Sequence, residues 1–351
     1  MLRSLRVSNF TVFPEVRLDF ARGLNVIVGE NGTGKTHLLK LPYAVAAVSS
    51  EEGRRRDSRV PTKAFLQARI AEKLVDVFRP EDARLGRLTR RQQGRNRCEV
   101  SIHFMQRRTS IAFNFASQNK SEVVVDRTPR KWVDEKPVYL PPRELLTIYP
   151  GFVSLYETHD VEFEETLRDT CLLLGAPTVR GPRRIRVANL LEPLEDQIGR
   201  VVLESNGRFY LRQPGKATME MPLVAEGWRK LAMLSRLIAT GSILEKGVLF
   251  WDEPEANLNP KLIREVARAI LRICESGVQV IVATHSLFLL REFELLLKRE
   301  FSEVDQRYFA LRHDENGVQI SQSGEVGEVD PLVLLDEELK QSDRYLERLM
   351  P

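Results

Sequence analysis

Eight residues constrain this chain most: GENGTGKT, Gly29 to Thr36. They fit the pattern G-x-x-x-x-G-K-[ST], and their setting is the one such a loop needs. The apolar run Leu24 to Val28 precedes them and a helical pattern follows. Gly29, Gly32 and Gly34 let the backbone curl, so that the N–H groups of the loop, those of Glu30, Asn31 and Thr33 included, can surround an anion. The helix start adds partial positive charge. Lys35 can then reach the β- and γ-phosphates of a nucleotide, and the Thr36 hydroxyl can hold Mg²⁺. ATP with Mg²⁺ is the ligand this loop implies.

A second stretch, GVLFWDEPEANLNP from Gly247 to Pro260, runs four apolar residues into Asp252 and Glu253. Alone it reads as a buried strand ending in a solvated acidic turn. Beside a phosphate loop it reads differently. A carboxylate at the end of a neighbouring strand can order the Mg²⁺ shell, which assigns Asp252 as a metal residue with Thr36. Glu253 is expected to point elsewhere, because strand residues alternate, and so to orient or deprotonate the attacking water. His285, in VIVATHS, stands just past the next strand, where a γ-phosphate sensor would sit, although a lone histidine is more often structural. The stretch AEGWRKLAML begins at Ala225 with Gly227 close behind. It reads equally as a second anion-binding helix start or as an ordinary helix beginning.

These motifs lie in an alternation of short apolar strands and amphipathic helices, which predicts an α/β fold with a mostly parallel sheet covered by helices. Asn259 is a good N-cap, Pro260 fits the first helical position and Gly277 follows the last turn. The opening LRSLRVSNFTVFPEVRLDF alternates as an N-terminal β layer would, with Pro14 expected at the turn. Pro42 is expected to kink the helix after the phosphate loop. Residues 61–78 have helical spacing, and CEVSIHFM with TSIAFNF reads as a hairpin, as do RVVLE and RFYLR around Asn206-Gly207. The stretch DPLVLLDEELKQSDRYLERL reads as a C-terminal helix. The expected division is a β layer with the phosphate loop (1–48), a basic helical insertion (49–97), a β segment (98–142), a helical lobe (143–200) and a lobe carrying the remaining motifs (201–351).

Composition excludes other classes. With 42% hydrophobic and 29% charged residues the chain has the balance of a soluble globular protein, and no apolar run nears the roughly 18–20 residues that span a bilayer. The N-terminus carries no apolar segment of the secretory kind, and Cys98, Cys171 and Cys274 stand far apart, which fits a reducing cytoplasm. His37, His103, His159 and His313 show no metal-ligand spacing with Cys or acidic residues. Net charge is only +4, yet residues 51–108 hold 16 Lys or Arg against 8 Asp or Glu. The segment 54–108, densest from Arg84 to Arg97 and including Arg90, Arg91 and Arg95, is either a nucleic-acid contact or a solvated face.

Taken in order, NFTVF…GLNVIVGENGTGKT, AEGWRKL, LFWDEPEANLNPKL and VIVATHSLFLL resemble the ABC-type ATPase heads shared by RecF, the DNA-end-binding repair ATPases and the structural-maintenance proteins. They are most like the bacterial AAA-family ATPases related to the overcoming-lysogenization-defect (OLD) proteins. The resemblance implies a P-loop ABC-type head with Lys35 and Thr36 as the Walker A pair and Asp252 as the Walker B metal residue. It implies Glu253 as catalytic base and His285 as switch histidine. It implies further that AEGWRK is the signature motif, which covers the γ-phosphate held by a second protomer. A serine is usual where Ala225 stands, so one hydroxyl donor is missing, and Gly227, Arg229 and Lys230 are left to supply backbone and cationic contacts. YLPPRE, around Arg143, is the candidate lobe junction. No acidic cluster of the Toprim kind follows His285. The functions implied are an ATP-driven, dimerising switch for a separately encoded effector in phage defence, or a DNA-repair ATPase. A transporter subunit is disfavoured by the NFTVF start.

Overall fold

The computed structural model describes every residue except 59, 92, 93, 95, 160, 182, 204, 205, 214, 245, 246, 330–332, 350 and 351. The N-terminal part runs β1 (Leu2–Phe10), β2 (Phe13–Asp19), β3 (Leu24–Gly29), α1 (Lys35–Gly53) and α2 (Lys63–Phe78). It continues with β4 (Arg97–Phe104), β5 (Ile111–Ala116), β6 (Val124–Arg127) and β7 (Val138–Leu140). Three helices follow, α3 (Tyr149–Thr158), α4 (Glu165–Gly175) and α5 (Arg183–Ile198), then β8 (Arg200–Leu203), β9 (Phe209–Arg212) and β10 (Met219–Glu220). The last part is α6 (Glu226–Ala239), β11 (Val248–Asp252), α7 (Pro260–Glu275), β12 (Gln279–Thr284) and α8 (Leu287–Arg299). It closes with β13 (Gln306–Asp314), β14 (Gly317–Ser323) and α9 (Val333–Leu349).

The central sheet has the order β14-β13-β3-β12-β11-β7. Its pairs are parallel except β13 with β14. Because β3, β11 and β12 are buried along their whole length, both faces must be covered. Alternation sorts the residues. Val26, Val28, Leu249, Trp251, Val280 and Val282 pack with α4, α6, α7 and α8. Ile27, Phe250, Ile281 and Ala283 face the other way, toward α1, α2 and a second, antiparallel sheet of order β2-β1-β4-β5-β6. Strands β8, β9 and β10 make a small third sheet beside α6.

The expected elements occur, with a correction at Pro14. The first hairpin turns at Thr11-Val12, with Asn9 and Thr11 at positive φ, and Pro14 lies inside β2. An edge strand tolerates it, since its missing N–H faces no ladder partner. Helix α1 continues through Pro42 to Gly53. The pair β13–β14 has no counterpart among the elements expected from the sequence.

Candidate nucleotide site

Strand β3 delivers the phosphate loop at the C-terminal edge of the parallel sheet. Gly32 and Gly34 both have φ of +83°, a conformation L side chains avoid. A Cβ on Gly34 would also stand 2.7 Å from Val12 Cγ2, so the loop is seated tightly on the first hairpin. Lys35 is buried, and its ammonium donates to the carbonyls of Gly29 (2.8 Å) and Glu30 (2.9 Å). Burial lowers its pKa, against the pull of Glu253, Asp252, Glu255 and Glu30.

Strand β11 is separated from β3 only by β12, so Asp252 arrives beside the loop. Thr36 Oγ1 donates to Asp252 Oδ2 at 2.8 Å, and the Tyr139 hydroxyl donates to the same oxygen at 3.3 Å. Asp252 is 2% exposed, and its Oδ1 is buried with no hydrogen-bond partner among the described residues. Burial raises its pKa, while the Thr36 hydrogen bond opposes the rise. An orphaned, hard carboxylate oxygen beside a threonine hydroxyl suits Mg²⁺, which takes one or two protein oxygens and completes its shell with phosphate and water. The residues present therefore fit the ion.

Glu253 is turned by its backbone rather than by strand alternation, as φ is +46° where β11 ends. Its N–H donates to Ala283 O at 2.8 Å, which fixes the turn against β12. His285 Nδ1 lies 3.2 Å from Glu253 Oε1. Glu255, to which the sequence alone assigns no role, holds this corner. Its Oε1 accepts from Thr284 Oγ1 (2.5 Å) and from the His285 N–H (3.2 Å). The signal available was a second glutamate in EPEAN, one turn beyond Asp252. Lys35, Thr36, Asp252, Glu253 and His285 are thus gathered at one edge of the sheet.

The signature stretch is placed differently from expectation in its side chains. Ala225 is the exposed N-cap of α6 and makes no side-chain cap. The amides of Trp228 and Arg229 both donate to its carbonyl. Gly227 is buried, and a Cβ there would meet Asn257 O and Leu258 Cδ2 of the same chain at 3.1 Å each. Lys230 is directed inward, its ammonium donating to the carbonyls of Glu253 and, at 3.3 Å, Ala256. Burial lowers its pKa to about 8. Arg229 Nε lies 3.2 Å from Glu144, the last residue of YLPPRE, while Arg143 is exposed. Arg229 and Lys230 therefore brace their own chain, because both find carboxylate or carbonyl oxygens there.

A cleft of 550 Å³ adjoins the loop, lined among others by Thr11, Val12, His37, Phe78, Arg87, Arg90, Arg91 and His313. His313 Nε2 is 3.7 Å from where a Gly32 Cβ would stand. His37 is held neutral, as burial and then Lys40 lower its pKa to about 4. The basic stretch is tied to this region. Arg90 N donates to Asn9 O and Thr11 N to Leu88 O, both at 2.9 Å, and the Arg90 guanidinium donates to Asn316 O. Arg84, Arg87, Arg90 and Arg91 share a neighbouring pocket of 620 Å³. Arg95 lies outside the described residues. Among the described residues no group of three or more His, Cys, Asp and Glu could hold a metal, and no helix is long and apolar enough to cross a membrane.

Comparisons with known proteins bear on the fold and the family of the chain. In sequence, 49 residues are 41% identical to the DNA replication and repair protein RecF of Exiguobacterium sp.. Another 50-residue match is 40% identical to RecF of Limosilactobacillus fermentum. Each match spans 14% of this chain and 13% of the relative's length. In structure, the chain is similar to a SmcHead bound to the C-winged helix domain of ScpA, with TM-score 0.54 and 14% identity. That likeness covers 92% of this chain and 97% of the other. It is also similar to a Smc head domain with an extended coiled coil, bound to the C-terminal domain of ScpA derived from Pyrococcus furiosus. There the TM-score is 0.50 at 12% identity, covering 100% and 99% of the two chains. The fold is that of ABC-type ATPase heads, a mostly parallel α/β sheet with an antiparallel N-terminal layer. Residues 24–291 match the family described as "AAA domain, putative AbiEii toxin, Type IV TA system". Since that match covers most of the chain, from β3 into α8, and takes in the phosphate loop, Ala225 to Lys230, Asp252, Glu253 and His285, the chain belongs to this AAA domain family.

Proposed function

We propose that this chain is a Mg²⁺-dependent ATPase that pairs around ATP and acts as a switch for a separately encoded effector in bacterial antiviral defence. One observation carries the ATPase reading: Lys35, Thr36, Asp252, Glu253 and His285 converge where a triphosphate would end. On binding, the Lys35 ammonium exchanges the carbonyls of Gly29 and Glu30 for phosphate oxygens, a charge-assisted and stronger contact. Mg²⁺ held through Thr36 and Asp252 would neutralise phosphate charge and orient the β- and γ-phosphates. Glu253 is the base toward the attacking water, and His285, hydrogen-bonded to it, senses the γ-phosphate. Base and ribose would lie in the cleft beside His37, Thr11 and Arg90.

Pairing is inferred from the exposed start of α6. A single chain leaves one side of the γ-phosphate open to water. A helix start from a second copy, bringing the amides of Glu226 and Gly227, would cover it. Support for an effector comes from the family description, which names a toxin–antitoxin system, and from Smc heads solved with ScpA bound. We place the protein in the cytoplasm on its three unpaired, buried cysteines.

Mixing tests the pair. A Lys35→Ala chain and an Ala225→Asp chain, each inactive alone, should regain one working site per heterodimer. Verified heterodimers that stay inactive would refute the composite site.

A second reading, a DNA-binding repair ATPase, is favoured by the pocket that gathers Arg84, Arg87, Arg90 and Arg91 and by the RecF matches. Duplex DNA binding that rises with ATP and falls steeply with salt would select it over the first.

A further inference from the structure

The Walker B carboxylate is also held from the protein interior. Tyr139 lies in the middle of β7, beside β11, and is 2% exposed. Its hydroxyl reaches Asp252 Oδ2 at 3.3 Å, the oxygen that Thr36 also donates to, and has no other hydrogen-bond partner among the described residues. The two donors differ in what else they can do. Thr36 sits in the first turn after the phosphate loop, so its hydroxyl can leave Asp252 for an ion. Tyr139 cannot leave. Its ring packs on Tyr43 with centroids 5.3 Å apart, and the Tyr43 hydroxyl is fixed on Asp169 Oδ2 at 2.7 Å. From α4, Thr170 Oγ1 donates to the Tyr139 carbonyl at 2.6 Å. Burial, and then the charge of Asp252, raise the Tyr139 phenol well above its usual pKa, so it stays a donor.

We propose that Tyr139 is a positioning residue for the metal carboxylate: its O–H holds Asp252 Oδ2 when Thr36 turns to Mg²⁺, leaving Oδ1 aimed at the ion's shell. The proposal rests on the ATP–Mg²⁺ reading above. Without Tyr139 the buried carboxylate would lose its last fixed donor as the ion binds. Removing a hydrogen-bond partner of a metal-binding group costs metal affinity about 10- to 100-fold.

The test is Mg²⁺ titration of the binding of a fluorescent ATP analogue to the full chain, repeated in EDTA. Tyr139→Phe removes one oxygen and little volume, and it should raise the half-saturating Mg²⁺ concentration about tenfold or more. Its affinity for the analogue in EDTA should be unchanged, which also reports a folded chain. Tyr139→Leu, a second side chain without a hydroxyl, should shift the midpoint the same way. Tyr308→Phe, at a buried tyrosine of β13 that makes no hydrogen bond to Asp252, should leave it in place. An unshifted midpoint in both Tyr139 variants would overturn the proposal alone, and so would an equal shift in Tyr308→Phe. Absence of analogue binding by the unsubstituted chain would instead overturn the nucleotide reading, and this proposal with it.

Discussion

Ala225→Asp should stabilise the single chain and abolish its ATP-dependent pairing. Ala225 caps α6 at φ −57° and ψ 140°, an extended geometry suited to an N-cap, yet it offers no side-chain acceptor. An aspartate there can accept from the Gly227 or Trp228 amide, worth about 1 kcal/mol, with some tenths more from the helix dipole. For a chain of 351 residues that is a rise of roughly 1–2 °C in Tm. In the proposed pair the same carboxylate would face the γ-phosphate of the other protomer. Two unit charges about 4 Å apart at an effective dielectric of about 20 repel by about 4 kcal/mol, or roughly a thousandfold in pairing. The two effects have opposite signs, which separates them from misfolding. Melting without nucleotide reads the first, and sedimentation of the Glu253→Gln chain with ATP, with and without Ala225→Asp, reads the second. Undiminished pairing in the double variant would refute the placement of α6 over the phosphate, and a lowered Tm would refute the capping argument.

Two further predictions concern charge. Lys230 has its pKa lowered to about 8 by burial, against Glu255, Glu253 and Asp252, from the usual 10.5. The unfolded chain thus binds this proton up to higher pH than the folded one, so folding stability should rise between about pH 8 and 10.5, by up to about 3 kcal/mol. Relative to Lys230→Met, urea melts at pH 7.5 and 9.5 should show the unsubstituted chain gaining stability, and a flat or falling difference would contradict the burial argument. If the arginine pocket takes a phosphate backbone, replacing Arg84, Arg87, Arg90 and Arg91 with Gln should flatten the salt dependence of DNA binding by about one log–log unit for each phosphate no longer neutralised. Binding with an unchanged salt slope would assign those arginines to the nucleotide cleft or to solvent.

What was legible in the sequence is what depends on local spacing. The phosphate loop needs glycines at fixed offsets, and Gly32 and Gly34 take the left-handed conformations those offsets imply. The Asn259 cap was legible for the same reason, and its side chain accepts from Leu262 N at 3.0 Å. Asp252 was readable because an apolar strand must end somewhere, and the loop elsewhere gave its carboxylate a purpose. Contacts between distant segments were not legible. Tyr139 and Asp252 are 113 positions apart and meet only because β7 pairs with β11. Glu253 looked like a matter of strand alternation, whereas a positive φ turns it. Lys230 and Arg229 looked like cations for a partner's phosphate, yet oxygens of their own chain claim both, which a linear motif does not display. Strands β13 and β14 were not legible because β13 lies beside β3, far away in sequence, and carries only a short buried core, Tyr308 to Leu311.

The measurement that bears most directly on the central claim compares ATP binding and single-turnover hydrolysis in the unsubstituted, Lys35→Ala and Glu253→Gln chains, with Mg²⁺ present. Lys35→Ala loses a charged donor to the phosphates, so its ATP affinity should fall by roughly 10- to 100-fold. Glu253→Gln should bind ATP as the unsubstituted chain does and hydrolyse it about 10²- to 10⁴-fold more slowly, the usual worth of a positioned base. Equal loss of binding in both variants, or full turnover in Glu253→Gln, would contradict the separate roles assigned to the phosphate loop and the end of β11.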